Sequence, residues 1–233
     1  MRFLGNKESI LTEISNLLSN KGLLQKGYTF FDAFCGSGSV AEYFKSYYDI
    51  IINDNLTWSV MYTKGRLCAP MCTFEKLGFD PFEFLNTTNS IHHGFIYRNY
   101  APTETQRMYF TPENAERIDY FRKQIEDWKT ADKLSDDEYC YLMACLIESV
   151  SDVSNTAGVY GAFLKKWDSR ALKKITFNKV DFKNEPCNSV TVFNSKIESI
   201  IEKCEVRYSL FGSSVYTKSI WNTIPSFRDI SIR

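Results

Sequence analysis

A small-residue turn, Gly36-Ser37-Gly38-Ser39, which follows a strand ending at Asp32, and a carboxylate further on, Asp54, are together suited to holding a nucleoside. A glycine turn lets backbone N–H groups come close to a ligand that any Cβ would hold away, at the positive end of the helix that follows. A carboxylate at the tip of the next strand can accept hydrogen bonds from ribose hydroxyls. The segment reads Phe31-Asp32-Ala33-Phe34-Cys35-Gly36-Ser37-Gly38-Ser39-Val40. A dinucleotide site prefers Gly-x-Gly-x-x-Gly; the third position here is Ala41, which the looser form of the fingerprint tolerates. Taken alone, the turn serves equally well as a tight strand-to-helix connection.

The elements that must position these groups can be read from periodicity. From Glu8, apolar residues recur at Ile10, Leu11, Ile14, Leu17 and Leu18 before Gly22, which predicts one amphipathic helix lying on a core. Tyr28-Thr29-Phe30-Phe31 has strand composition and ends at Asp32, and Val40-Ala41-Glu42-Tyr43-Phe44 opens a helix after the turn. Tyr48-Asp49-Ile50-Ile51-Ile52 is a second strand, ending in Asn53-Asp54-Asn55, and a further helix starts at Thr57. This is a β-α-β unit with an acid at the tip of its second strand.

Composition limits what these motifs can mean. At 233 residues, 44% hydrophobic, the chain can form one sizeable core, or one core with an inserted subdomain. Lys plus Arg and Asp plus Glu both number 28, so any nucleic-acid contact must come from a local cluster. The stretch Lys165-Lys166-Trp167-Asp168-Ser169-Arg170-Ala171-Leu172-Lys173-Lys174 is such a cluster. Lys165, Lys166, Arg170 and Lys173 read either as phosphate contacts or as the solvated face of an amphipathic helix, and both readings stand. No apolar run approaches the roughly 20 residues of a membrane span. The 7 cysteines are mostly scattered, and Cys68-Ala69-Pro70-Met71-Cys72 lacks the second pair a zinc site needs, so the expectation is core thiols, no metal and a cytoplasmic protein. His92-His93 reads as a surface loop.

Arg2-Phe3-Leu4-Gly5-Asn6-Lys7, Asp32-Ala33-Phe34-Cys35-Gly36-Ser37-Gly38 and Asp54 occur in the order of three motifs in a known family, the adenine-N6 DNA methyltransferases whose cofactor motifs precede the catalytic one. The chain resembles that family from Met1 to about Cys204. Arg107-Met108-Tyr109-Phe110-Thr111-Pro112-Glu113-Asn114-Ala115 and Asn155-Thr156-Ala157-Gly158-Val159-Tyr160-Gly161-Ala162-Phe163-Leu164-Lys165 are similar to segments of its restriction-modification branch. The resemblance implies S-adenosylmethionine as cofactor, bound by Phe3, Lys7, Asp32, Phe34, Gly36, Gly38 and Asp54, and double-stranded DNA as substrate. It implies an α/β fold: a Rossmann-like methyltransferase sheet over 1–73, a mostly helical DNA-recognition insertion over 74–188, and the start of the returning catalytic part over 189–206. Within the insertion, helices can be read over 114–128 and 135–150.

The family's catalytic Asp-Pro-Pro-Tyr, which orients the target amino group and stacks on the base, does not occur in the sequence, so no catalytic residue is assigned. Phe79-Asp80-Pro81-Phe82 comes too early and reads as a turn before a helix. Where the catalytic strand belongs stands Arg207-Tyr208-Ser209-Leu210-Phe211-Gly212-Ser213-Ser214-Val215-Tyr216. Written as AGA TAT AGC TTA TTT GGA TCC TCC GTA TAC and read one base later, it becomes Asp-Ile-Ala-Tyr-Leu-Asp-Pro-Pro-Tyr. The expectation is therefore a frameshift near 204–207, an out-of-frame and poorly ordered tail over 207–233, and an incomplete sheet. Such a chain is inactive alone unless a second polypeptide carries the missing catalytic half. The alternatives are a non-catalytic DNA-binding or specificity module and, last, a small-molecule methyltransferase or nucleotide-dependent enzyme.

Overall fold

The computed structural model describes residues 7–157, 160–183, 185, 187, 189–200 and 209–210. Phe3 and nearly all of the 207–233 tail lie outside the described residues. Four parallel strands, β1 (Thr29–Asp32), β2 (Asp49–Asn53), β3 (Val190–Phe193) and β4 (Ser209–Leu210), lie in the order β3-β2-β1-β4. That is the opening 3-2-1-4 of a doubly wound sheet, whose ligand crevice lies at the carboxyl ends of the strands where the order reverses, between β1 and β4. Ser209 and Leu210 of the expected tail pair with Phe31 and Asp32, so this stretch lies beside β1.

The central strands are apolar on both faces, as buried parallel strands are. Phe30, Ile50 and Ile52 point to one side, into a core with α1 (Leu11–Asn20), α2 (Ser39–Phe44) and α3 (Thr57–Cys68). Phe31, Ile51 and Phe193 point to the other, where Ile197 and Ile200 complete a much smaller cluster. The predicted helix after Glu8 is a 3-10 turn (Glu8–Ile10) followed by α1. Its buried stripe is narrower than the pattern implied: Leu11 and Leu18 are buried, while Ile10 and Leu17 face solvent.

The crossover from β2 to β3 contains the whole helical insertion, with α4 (Pro81–Thr87), α5 (Phe95–Tyr100), α6 (Pro112–Thr130) and α7 (Asp136–Asp152). Asp80 caps α4 through the N–H groups of Phe82 and Glu83, which confirms Asp80-Pro81 as a helix start. Thr111 caps α6 ahead of Pro112, and Ser135 with Glu138 forms a reciprocal capping box on α7. The insertion is not a separate lobe. One side of α3 sends Val60 and Leu67 into the sheet core and the other sends Tyr62 into the insertion core. The insertion reaches α3 at Gly65, where an added Cβ would lie 2.3 Å from the Cys140 carbonyl oxygen of α7.

The stretch 165–174 forms turns and bends, which overturns the amphipathic-helix reading of it. It opens a strap running to Lys183 that buries Ala171, Ile175, Phe177 and Phe182 without belonging to a sheet. Its backbone polar groups still need partners. Three asparagines supply many of them. Asn155 donates to Met108 O and Leu164 O and accepts from Asp168 N. Asn114 donates to Ala171 O and Lys173 O and accepts from Ile175 N. Asn86 binds both the carbonyl and the N–H of Phe177. Asn155→Ala removes three hydrogen bonds, one of them to the strap, at a site with no exposure. It is expected to cost about 3 kcal/mol, read as a lower urea midpoint at unchanged slope.

Candidate functional site

Asp32 ends β1 with 1% of its surface exposed, and among the described residues its Oδ2 has no hydrogen-bond partner. Burial raises its pKa to about 7; the backbone N–H groups of Ala41 and Phe34 oppose that shift and the negative charge of Asp54 adds to it. Past the strand the chain turns through Gly36 (φ 53) and Gly38 (φ 71), conformations that L side chains resist. The turn lies against α3 so closely that a Cβ on Gly38 would sit 2.7 Å from the Thr63 side chain. Ala41, at the third fingerprint position, is fully buried.

Asp54 closes over this turn. Its Oδ2 accepts from Gly36 N at 3.1 Å and lies 3.1 Å from the Ser59 hydroxyl, and its Oδ1 accepts from Leu56 N at 3.0 Å. The single Ser59 proton is shared between that carboxylate and the Gly36 carbonyl, 2.6 Å away. The Gly36 N–H is therefore committed to Asp54 and the Gly38 N–H to Cys35 O, so the turn is not an open cradle of free donors. Its glycines serve close packing and tight curvature.

Three residues that the motifs did not single out complete the construction. Asn53 donates to Ala33 O, accepts from Ser195 N, and receives Cys35 N on its own carbonyl, joining the ends of β1, β2 and β3. Ser59 has no exposed surface and lies under the turn. Arg66 donates to Ser37 O at 2.8 Å, between the two glycines. An asparagine beside a strand-end acid was a usable sign for Asn53; Ser59 and Arg66 carried no local sign.

The structure thus brings Asp32, Gly36, Gly38 and Asp54 together. Phe34, at the same end of β1, packs with Phe31, Ala33, Ile197 and Ile200. Lys7 precedes the 3-10 turn before α1, and its neighbour Glu8 lies 3.5 Å from Arg66; Arg2 to Asn6 of the N-terminal motif lie outside the described residues. The four cationic candidates are elsewhere, on the strap held by Asn114 and Asn155. Lys165, Lys166 and Lys173 are exposed, whereas Arg170 bends back to Asp168 Oδ1 at 3.2 Å and Thr156 O at 3.4 Å. Cys35, Cys68, Cys140, Cys145 and Cys187 are buried free thiols, and burial pushes the Cys35 thiol up to about 12. No helix among the described residues is long and apolar enough to cross a membrane.

The family model for D12 class N6 adenine-specific DNA methyltransferases matches residues 3–207. The chain belongs to this family. The D12 match spans both the turn and the helical insertion, and curated relatives agree with it. The chain is 41% identical over 197 residues to Modification methylase LlaI of Lactococcus lactis subsp. lactis, covering 79% of this chain and 30% of that one. It is 34% identical over 230 residues to Type II methyltransferase M.FokI of Planomicrobium okeanokoites, covering 95% and 34%. With Type II methyltransferase M.NlaIII of Neisseria lactamica the identity is 35% over 191 residues, covering 78% and 54%. The chain therefore spans about a third of the length of the first two relatives. No solved structure matches significantly.

Proposed function

We propose that this chain supplies the methyl-donor site and the target-reading insertion of a DNA adenine N6-methyltransferase of a restriction-modification system, with S-adenosylmethionine as donor and double-stranded DNA as substrate. The observation that carries the reading is the buried, unpaired Asp32 oxygen at the switch point of the sheet, beside the turn that Asp54 closes. The Ala41 and Phe34 N–H groups serve this carboxylate, but its Oδ2 has no partner among the described residues; a cation would fill that place, and S-adenosylmethionine carries an ammonium and a sulfonium. An ionised carboxylate has about four acceptor positions. Asp54 uses Oδ2 twice and Oδ1 once, so Oδ1 retains a place for a ribose hydroxyl. The residues present therefore fit this donor.

When bound, S-adenosylmethionine supplies an electrophilic methyl group on its sulfonium. In this reading Asp32 holds the counter-charge, Asp54 orients the ribose, and Phe3 and Lys7 cover the donor from the N-terminal motif. The adenine must leave the duplex to reach the methyl group. Its amino group needs acceptors and its ring a stacking partner, and no Asp-Pro-Pro-Tyr occurs within the 233 residues. We therefore propose that the adenine-presenting residues come from outside this sequence, or from a second polypeptide, and that 207–233 is read out of frame. The pairing of Ser209 and Leu210 with β1 supports placing that stretch where the catalytic strand belongs. Coding DNA whose shifted frame lacks Asp-Pro-Pro-Tyr would end the frameshift reading.

Calorimetric titration of the chain with S-adenosylmethionine tests the donor site, and absence of binding would remove it. For DNA, exposed Lys165 and Lys166 are the phosphate contacts, while Arg170 braces the strap. Changing both lysines to alanine is expected to lower the slope of log affinity against log salt by about 2, roughly 0.9 for each phosphate no longer neutralised. An unchanged slope would take this loop out of the interface.

A further inference from the structure

Helix α2, which opens directly from the glycine turn, also grips the far end of the insertion. Glu42, 4% exposed, receives Arg66 Nε at 3.0 Å and Arg66 Nη2 at 2.7 Å on its Oε2. Its Oε1 accepts the backbone N–H of Lys183 at 3.0 Å. Lys45, with no exposed surface, donates to the Lys183 carbonyl at 2.6 Å. The Lys183 ammonium lies 4.3 Å from the centre of the Tyr43 ring. Glu42 and Tyr43 of α2 and Lys45, which caps its C-terminal end, thus hold the last residue of the strap by its N–H, its side chain and its carbonyl. Phe182, the residue before it, lies with its ring centre 5.4 Å from the Arg66 guanidinium.

Arg66 closes the circuit. Its remaining nitrogen, Nη1, donates to Ser37 O in the middle of the turn. Burial works against the Arg66 charge and Glu42 more than restores it, so the pair is held as an ion pair. A guanidinium fork is rigid and planar, so its three nitrogens cannot shift independently. An unbroken chain of contacts thus runs from the Lys183 N–H through the Glu42 carboxylate and the Arg66 fork to Ser37 O in the turn.

We infer that Glu42 and Arg66 are positioning residues that couple the DNA-reading insertion to the methyl-donor turn, so that duplex bound on the insertion changes the affinity of the turn for S-adenosylmethionine. This rests on the proposed donor site and adds its regulation. Coupling between two ligands is reciprocal, so the donor must change duplex affinity by the same factor.

The test is calorimetric titration of the full chain with S-adenosylmethionine, with and without a pool of adenine-containing duplexes of random sequence. Arg66→Lys, which keeps the charge but loses the fork, and Glu42→Gln, which keeps the shape but loses the charge, are titrated alongside, and thermal melting confirms that they fold. The expected result is a donor affinity that shifts about fivefold or more with duplex in the unaltered chain, within the usual range of coupling. In either variant the ratio of donor affinities with and without duplex falls to about onefold; a change in donor affinity without duplex, expected for Arg66→Lys because Arg66 holds Ser37 O of the turn, cancels from that ratio. If the unaltered chain binds donor equally with and without duplex, or if both folded variants keep the full dependence, the coupling is wrong and the donor site stands. If the unaltered chain binds no donor, both ideas fall. Should neither variant fold, the duplex dependence of the unaltered chain alone decides.

Discussion

Gly65→Ala is expected to destabilise the protein by about 3 kcal/mol or more, at the upper end of the cost of overpacking a core. The methyl group would lie 2.3 Å from the Cys140 carbonyl oxygen, 2.6 Å from its carbon and 2.9 Å from Tyr141 N. These are backbone atoms inside α7, and no side-chain rotation can make room. Either α3 and α7 separate along the seam between sheet and insertion, or α7 bends and loses hydrogen bonds. In an exposed helix the same change would stabilise by about 1 kcal/mol, because alanine is the better helix former. The sign of the effect therefore reports the seam directly. A melting temperature equal to or above that of the unaltered protein would show that the helices do not meet at this residue.

Asp32→Asn is expected to act in opposite directions on stability and on donor binding. In the folded protein the carboxyl titrates near 7 instead of the ordinary 3.8. Between those values the folded chain keeps a proton that the unfolded chain has released. The stability owed to that proton is complete below about 4, declines as pH rises toward 7, and is gone above it. The gap corresponds to roughly 4 kcal/mol, the cost of keeping the buried charge ionised at pH 8. An amide removes that cost but leaves its own N–H without an acceptor, which returns about half of it. The net expectation is that Asp32→Asn melts higher than the unaltered protein at pH 8 and equal to it or lower at pH 4. Affinity for S-adenosylmethionine should fall about ten- to a hundredfold, as when a charge-assisted hydrogen bond is removed, and its rise between pH 6 and pH 8 should vanish. Donor binding that survives the substitution unchanged would mean that the unpaired oxygen faces something other than the donor's positive charge.

What could be read from sequence, and what could not, divides by the range of the interactions involved. β1, the turn, α2 and β2 were legible because short continuous apolar runs and two glycines act within a few positions. Helices α6 and α7 were legible from their apolar patterns over 114–128 and 135–150, but the pattern starts α6 two residues late because it leaves out the cap Thr111 and Pro112. The four motif residues Asp32, Gly36, Gly38 and Asp54 converge as their spacing implied. The strap was misread in one of its two alternatives because 165–174 has a helical distribution of charge. Its conformation is decided instead by Asn86, Asn114 and Asn155, whose partners lie up to 91 residues away. Gly65 reads locally as a weak point in a helix and means something only once α7 is placed against it. Ser59, Glu42 and Arg66 are ordinary polar residues on helices until the turn folds over them.

The joint made by Asn53 bears on how the molecule assembles. Its side chain joins Ala33 to Ser195, and the second of those hydrogen bonds spans 142 positions of chain. Bringing such distant segments together from an unfolded chain costs about 2 kcal/mol more than closing a loop of about ten residues. Most of that cost disappears if the intervening helices have already packed, because α6 and α7 then bring the two ends near each other. The order favoured by this arithmetic is insertion first and β3 last. The turn at the strand ends is then braced by β3 only in a chain whose insertion is already built, so on the proposed reading a partly folded molecule would have no finished place to hold a methyl donor.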